Sequence, residues 1–229
     1  MSKESSRRGD TTASTYIDPG ADTKEGYAIS ERSRTLARSV VGNTTVEDRI
    51  RQRCSIAVGD FSMAGLMRFS YDPVLAALAA LSYGSPVITD IRMVQTGIQK
   101  KGHNSEVICA LDYGAGLARE QGITRSSAGF LALREKIPGS IVVIGNAPSA
   151  LIALCGMIRD AGIKPAVVIG TPVGFVNAAE SKELLRTTHV PSISNKGTRG
   201  GTPVAVAAIN ECITIFIEGT GHEGSAHRL

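Results

Sequence analysis

The sequence has no tryptophan, and five tyrosines with five phenylalanines make aromatics only 4% of its 229 residues. Binders of single-stranded nucleic acid stack bases on aromatic rings, so nucleic acid is a poor first candidate for a partner. Cys54, Cys109, Cys155 and Cys212 stand far apart in apolar stretches. Zinc, haem and thiol–disulfide sites need paired spacings, so these four read as reduced, buried residues of a cytosolic protein. None of His103, His189, His222 and His227 has an acidic or cysteine neighbour at ligand spacing. They assemble neither a metal cluster nor a catalytic triad. Charge is only mildly one-sided, with a net of +4, and part of it sits at the ends on Lys3, Arg7, Arg8 and Arg228. The remainder modestly favours an anionic ligand.

A membrane span is also missing. The longest uncharged run, Ile137 to Ile158, is broken by Gly139, Gly145, Asn146 and Pro148, which suits a strand, a turn and a helix better. MSKESSRRGDTTAST has no apolar segment of the kind export machinery uses. The expected organisation is a flexible arm over 1–15, one domain over 16–219 and a short tail over 220–229.

What is present is a layered α/β pattern. Hydrophobic residues at 42% and charged residues at 20% suit a globular domain. Ser30 and the following ERSRTLARSVV read as a capped helix ended by Gly42, and Thr45 with Asp48 opens a second through Ile56. Asp72 and Pro73 start a third that stops at Gly84. Five short β-branched runs follow: PVITD (86–90), EVICAL (106–111), SIVVIG (140–145), AVVIG (166–170) and PSIS (191–194). Helical stretches near 113–121, 126–135, 148–161, 177–187 and 203–217 separate or follow them. The alternation predicts a five-stranded parallel sheet with helices on both faces.

Ligands of such sheets sit beyond the carboxyl ends of the strands, which directs attention to four loops. GNAPSA, with Gly145, Asn146 and Pro148, presents helix-start amides to which a carboxylate or phosphate could dock; equally, any strand-to-helix turn looks like this. GTPVGF, with Gly170, Pro172 and Gly174, lets backbone approach a ligand, or is a rigid turn ahead of a helix with solvated Glu180 and Lys182. NKGTRGGT joins Lys196 and Arg199 to Gly197, Gly200 and Gly201 ahead of a helix and is the best anion site in the chain. It matches neither the phosphate loop of nucleotide hydrolases nor the dinucleotide fingerprint. The fourth loop, TDIRMV, carries Arg92. Outside these four, Arg125 in GITRSSAG, beside Ser126 and Ser127, reads as a carboxylate fork or a surface residue.

Together the stretches SPVITDIRMVQTGI, NSEVICAL, GITRSSA, VVIGNAPSAL, VIGTPVGFVNAAESK and KGTRGGTPVAVAAIN, from about Tyr16 to Ile217, resemble the precorrin-8X methylmutase family of corrin-pathway isomerases. The resemblance implies a flavodoxin-like α/β homodimer without external cofactor or metal. Such a protein holds a tetrapyrrole rich in acetate and propionate arms between subunits and moves a methyl group from C11 to C12. It gives substrate-binding roles to Ser33, Arg92, Ser126, Asn146, Gly170, Pro172, Lys196, Arg199, Gly200 and Gly201.

One departure bears on the reaction. Family members carry a histidine in a segment like Arg-Val-Ile-His-Thr-Thr-Gly-Asp, thought to hydrogen-bond or protonate a ring nitrogen. The counterpart here is RCSIAVGD, Arg53 to Asp60, with Ile56 in the histidine's place. Isoleucine exchanges no proton; Ser55, Asp60 and His103 are no convincing replacements, and Arg125 stands as the catalytic candidate. Two classes stay open: an isomerase working by binding and orientation or a displaced acid, and a corrinoid binder with other chemistry.

Overall fold

The computed structural model describes residues 23–226, with side chains to 220; the expected arm over 1–15 and Tyr16 lie outside the described residues. Thr23 caps α1 (Lys24–Val41), its hydroxyl accepting the Gly26 N–H, so Ser30, the expected cap, lies inside the helix. In α2 (Val46–Val58) the expected capping box is complete: Thr45 accepts from the Asp48 N–H, and the Asp48 carboxylate accepts from Thr45 N–H. A short helix, α3 (Ser62–Leu66), runs into a strand, β1 (Met67–Ser70). Pro73 starts α4 (Pro73–Ser82), while Asp72 lies in the left-handed region and supplies no side-chain cap.

The parallel strands then follow where the β-branched runs predict them: β2 (Val87–Thr89), β3 (Val107–Cys109), β4 (Ile141–Ile144), β5 (Val167–Gly170) and β6 (Ser192–Asn195). Between them lie α5 (Arg92–Gly97), where TDIRMV was expected as loop, α6 (Ala115–Gln121), α7 (Arg125–Ala132), α8 (Pro148–Ala161) and α9 (Ala178–Thr187). The described residues end with α10 (Thr202–Ala226), which continues into the stretch from 220 that the sequence leads one to expect as a tail.

The sheet has six strands, not five, in the order β1-β6-β5-β4-β2-β3. The extra strand, β1, pairs antiparallel with β6 at the edge, from Met67 opposite Asn195 to Ser70 opposite Ser192. Its MRFS sequence alternates and is mostly half-buried, so it lacks the continuous apolar signal of a doubly covered strand. The parallel strands alone run β3-β2-β4-β5-β6, which is the flavodoxin-like order, with its switch point between β2 and β4.

Alternate residues of each strand feed separate cores. Val87, Ile141, Val143, Val167, Ile169 and Ile193 pack under α4, α5 and α10, with α2 outside α10. Ile88, Ile108, Val142, Ile144 and Val168 pack under α7, α8 and α9. Helix α10 is apolar and long enough to cross a membrane, but Val204, Ala205, Ala208, Ile209, Cys212 and Ile213 are wholly buried in the first core, which accounts for its composition. The four cysteines are free and buried, as expected. One charged cluster also lies inside: the enclosed Glu211 of α10 is met by Arg34 of α1 at 3.0 Å and by Arg49 and Arg53 of α2 at 2.8 and 3.7 Å.

Candidate active site

Because β2 to β6 are parallel, the loops singled out in the sequence all leave the same edge of the sheet. Asp90 occupies its centre, just beyond β2 at the switch point. Wholly buried, its carboxylate accepts the N–H groups of Gly145 (3.2 Å), Asn146 (2.7 Å) and Ala147 (2.8 Å) ahead of α8. The amides of GNAPSA, expected to be open to a ligand, are thus already taken by an internal anion, the partner a helix start prefers. Burial pushes the Asp90 carboxyl up from its ordinary range, opposed by those three N–H donors. The same turn is tight: a Cβ on Gly145 would sit 3.0 Å from Ala205 and Thr202. Asn146 itself remains exposed at the rim.

Two loops are laced together beside it. Gly174 N–H donates to the Thr198 carbonyl at 3.0 Å, and Gly201 N–H to the Thr171 carbonyl at 2.7 Å. Gly200 adopts a φ of 145°, and a Cβ there would stand 2.3 Å from the Thr171 carbonyl oxygen, so only glycine fits. Gly170, expected to let backbone reach a ligand, is instead buried against Leu185 and Leu151. Pro172 is buried as well, and the Thr171 hydroxyl finds no hydrogen-bond partner among the described residues. At the tip of this loop Phe175 is 94% exposed, next to exposed Val173 and Val176.

The rim's cations divide into two kinds. Arg92 pairs with Asp112 in the β3 loop, and Arg199 pairs with Asp60 and donates to the Ser62 hydroxyl at 3.0 Å. Hydrogen bonds from Ser62 and from the Arg199 guanidinium hold the Asp60 carboxyl below its usual range. Arg125 is exposed and donates only to the Leu111 carbonyl, at 3.0 Å, and Lys196 has no carboxylate partner among the described residues. Ser126 is buried at the start of α7, beside Thr124, which shares a hydrogen bond of 2.8 Å with Ser149 of α8. Lys182, read from sequence as solvated, is fully enclosed and donates to the Arg199 carbonyl at 2.6 Å.

Two predicted residues come from outside the strand ends. Ile56 is half-buried in the last turns of α2, and that helix ends at Gly59, one residue before the Asp60 that holds Arg199. Position 56 thus borders the rim. Ser33 lies on α1, an outer helix packed on α2, and its hydroxyl donates to the Ile29 carbonyl. No histidine with a described side chain can replace the missing one. His103 is locked in its own loop, its Nδ1 accepting from Ser105 N–H and its Nε2 donating to the Gln99 carbonyl. His189 precedes β6 at the opposite edge, bonded to the Tyr71 hydroxyl at 2.9 Å.

The fold and this edge define an α/β protein of flavodoxin-like strand order with a cationic, glycine-shaped rim suited to a polyanion. The precorrin-8X methylmutase family model matches residues 28–215. The chain belongs to that family. It is 37% identical to the cobalt-precorrin-8 methylmutase of Methanocaldococcus jannaschii, over 85% of this chain and 96% of the relative. It is 38% identical to the precorrin-8X methylmutase of Pseudomonas aeruginosa, over 83% and 96%. The crystal structure of precorrin-8X methylmutase from Thermus thermophilus superposes with a TM-score of 0.78 at 35% identity, covering 84% of this chain and 97% of that one.

Proposed function

We propose that this chain binds a corrin precursor through its acetate and propionate arms on the β2–β6 rim and moves the C11 methyl group to C12, as a cytoplasmic precorrin-8X methylmutase. The observation that carries the reading is the family match, which runs through every loop of the rim. Arg125 and Lys196 can take carboxylate arms directly, and Arg199 can exchange Asp60 for one. Amides already satisfied by Asp90 contribute rigidity rather than contacts. Holding a macrocycle at many points suits an intramolecular rearrangement, whose rate depends on how the substrate is oriented.

The active unit in this reading is a homodimer. Ile29, Leu36 and Val40 form an exposed apolar stripe along α1 at helical spacing, and Ser33 shares that face. A partner covering the stripe would bring Ser33 to the ligand of the other subunit. A second reading, a corrinoid-binding protein without the methyl shift, is favoured by Ile56 together with the committed state of His103 and His189. Mixing the purified chain with precorrin-8X and following the visible spectrum separates the two: conversion supports the isomerase, binding without conversion the second reading, and no binding rejects both.

A further inference from the structure

Lys182 carries a charge where charges are rarely left alone. It is fully enclosed, and its Nζ donates to the Arg199 carbonyl at 2.6 Å and to Asn195 Oδ1 at 3.4 Å, both uncharged acceptors. No carboxylate lies within ion-pair distance of it among the described residues. The charges around it are mainly of its own sign. On α9 the next turn holds Arg186, which donates to the Ser194 hydroxyl and is paired with the exposed Glu183. The loop after β6 carries Lys196 and Arg199, the latter paired with Asp60, and β1 carries Arg68. Strands β5 and β6 bring no ionisable side chain, and α8 brings only Cys155 and, in its last turn, the mutually paired Arg159 and Asp160.

Tying down the Arg199 carbonyl does not require an ammonium, because Asn195 Nδ2 donates to the same oxygen. An enclosed lysine without a counter-ion costs the fold stability, so the charge is there for something the chain itself does not supply. Burial, with Arg186 adding to it, pushes the Lys182 pKa down to about 8.

We infer that Lys182 is a positioning residue whose ammonium, seated behind the Lys196–Gly201 loop on the Arg199 carbonyl and Asn195, keeps its charge for the ligand's carboxylates to neutralise. The inference rests on the corrin-precursor reading of the same rim. It makes proton binding at Lys182 and anion binding on the loop mutually reinforcing, so affinity falls as the ammonium loses its proton.

The test is steady-state turnover of precorrin-8X by the full chain and by Lys182→Met, which keeps length and bulk without charge, from pH 6.5 to 9.5. The substrate's carboxylates are ionised throughout that range, and the Lys182→Met variant, which meets the same substrate, separates any titration of its ring nitrogens from that of the ammonium. Expected at pH 7 is a KM raised tenfold or more in the variant with kcat within threefold. The wild-type KM should rise severalfold between pH 7 and 9 while that of the variant stays flat. The variant should also melt no lower than wild type at pH 7, whereas removing a purely structural strut would lower the melting temperature. A folded Lys182→Met with wild-type KM and pH dependence overturns the inference. Should the variant not fold, the wild-type profile decides alone, a flat KM from pH 7 to 9 being contrary. Failure of the wild type to bind precorrin-8X at pH 7 rejects the proposed function itself, and the inference with it.

Discussion

Asp90 offers the sharpest test of how the rim is built. Its carboxylate meets all three amides at the β4–α8 turn, with Oδ1 taking Gly145 and Oδ2 taking Asn146 and Ala147. Asp90→Ala strands those donors. Water can reach the Asn146 group, which is exposed, but Gly145 and Ala147 are buried. Each buried N–H left without a partner costs about 1–3 kcal/mol, and the lost anion at the start of α8 adds about 0.5–1 kcal/mol. The expected loss is therefore about 2.5–7 kcal/mol, read as a lower urea midpoint at unchanged m-value. Asp90→Asn can still accept on the Asn146 and Ala147 side, but its amide nitrogen faces the Gly145 N–H, donor against donor, for a loss of about 2 kcal/mol.

Comparing the two variants also reports the ionisation of Asp90. Its carboxyl titrates above the unfolded value, so between the two values the folded chain holds more protons than the unfolded one. In that window its contribution to stability grows as pH falls and shrinks as pH rises. Asp90→Asn removes that dependence, and its gap from wild type should change on lowering the pH from 7 toward 4. An Ala variant that loses less than about 1 kcal/mol, or an Asn variant identical to wild type at every pH, would refute the account of an ionised carboxylate organising the turn.

Ile56→His should raise precorrin-8X turnover by about 100- to 10,000-fold if a general acid is all the pocket lacks. The gain should titrate near pH 6.5, and an unaltered rate with intact folding would show that the acid is not the missing part. Glu211→Gln should cost about 3–5 kcal/mol in urea unfolding, because Arg34, Arg49 and Arg53 lose the buried charge they converge on. Asp48→Asn should cost about 1–2 kcal/mol at pH 7. The Thr44 and Thr45 N–H groups hold the Asp48 carboxyl down, against its desolvation, to about 2. Its stabilising contribution is complete above pH 4 and fades as pH falls through 2, so the two proteins should converge there in acid denaturation.

Much of the fold is legible in the sequence because the signals are local. β-branched runs mark the buried strands, and the Thr45–Asp48 box marks the start of α2. Strand β1 is not legible because an edge strand with one covered face carries no continuous apolar run. Helix α5 is missed for a different reason: RMVQTG ends in a glycine whose Cβ would stand 2.8 Å from Val206, so packing on α10 rather than propensity explains that residue. The candidate site is legible by location and not by electrostatics. Sequence identifies Arg92, Lys182, Lys196 and Arg199 as cations in or beside the loops of the candidate rim, but the fold alone reveals that Asp112 and Asp60 neutralise two of them and that Lys182 is sealed in. The partners lie 20 and 139 positions away, a separation that no local pattern encodes.

That division of charges has a physical consequence for ligand binding. A rim of bare arginines would repel itself and bind any anion. Here Arg92 and Arg199 sit in exposed pairs, each worth at most about 1 kcal/mol, so a ligand carboxylate can displace Asp112 or Asp60 at little cost and leave the acid solvated. Asp90 behaves in the opposite way: its three amide donors are too strongly held to be exchanged, so that part of the rim keeps its shape whatever binds. A macrocycle with several carboxylate arms can therefore open both exposed pairs and meet Arg125 and Lys196 at once, whereas a monoanion must open a pair to gain a single contact. Under the proposed function the rim would select for the number and spacing of carboxylates rather than for charge alone, a discrimination its total of positive residues would not provide.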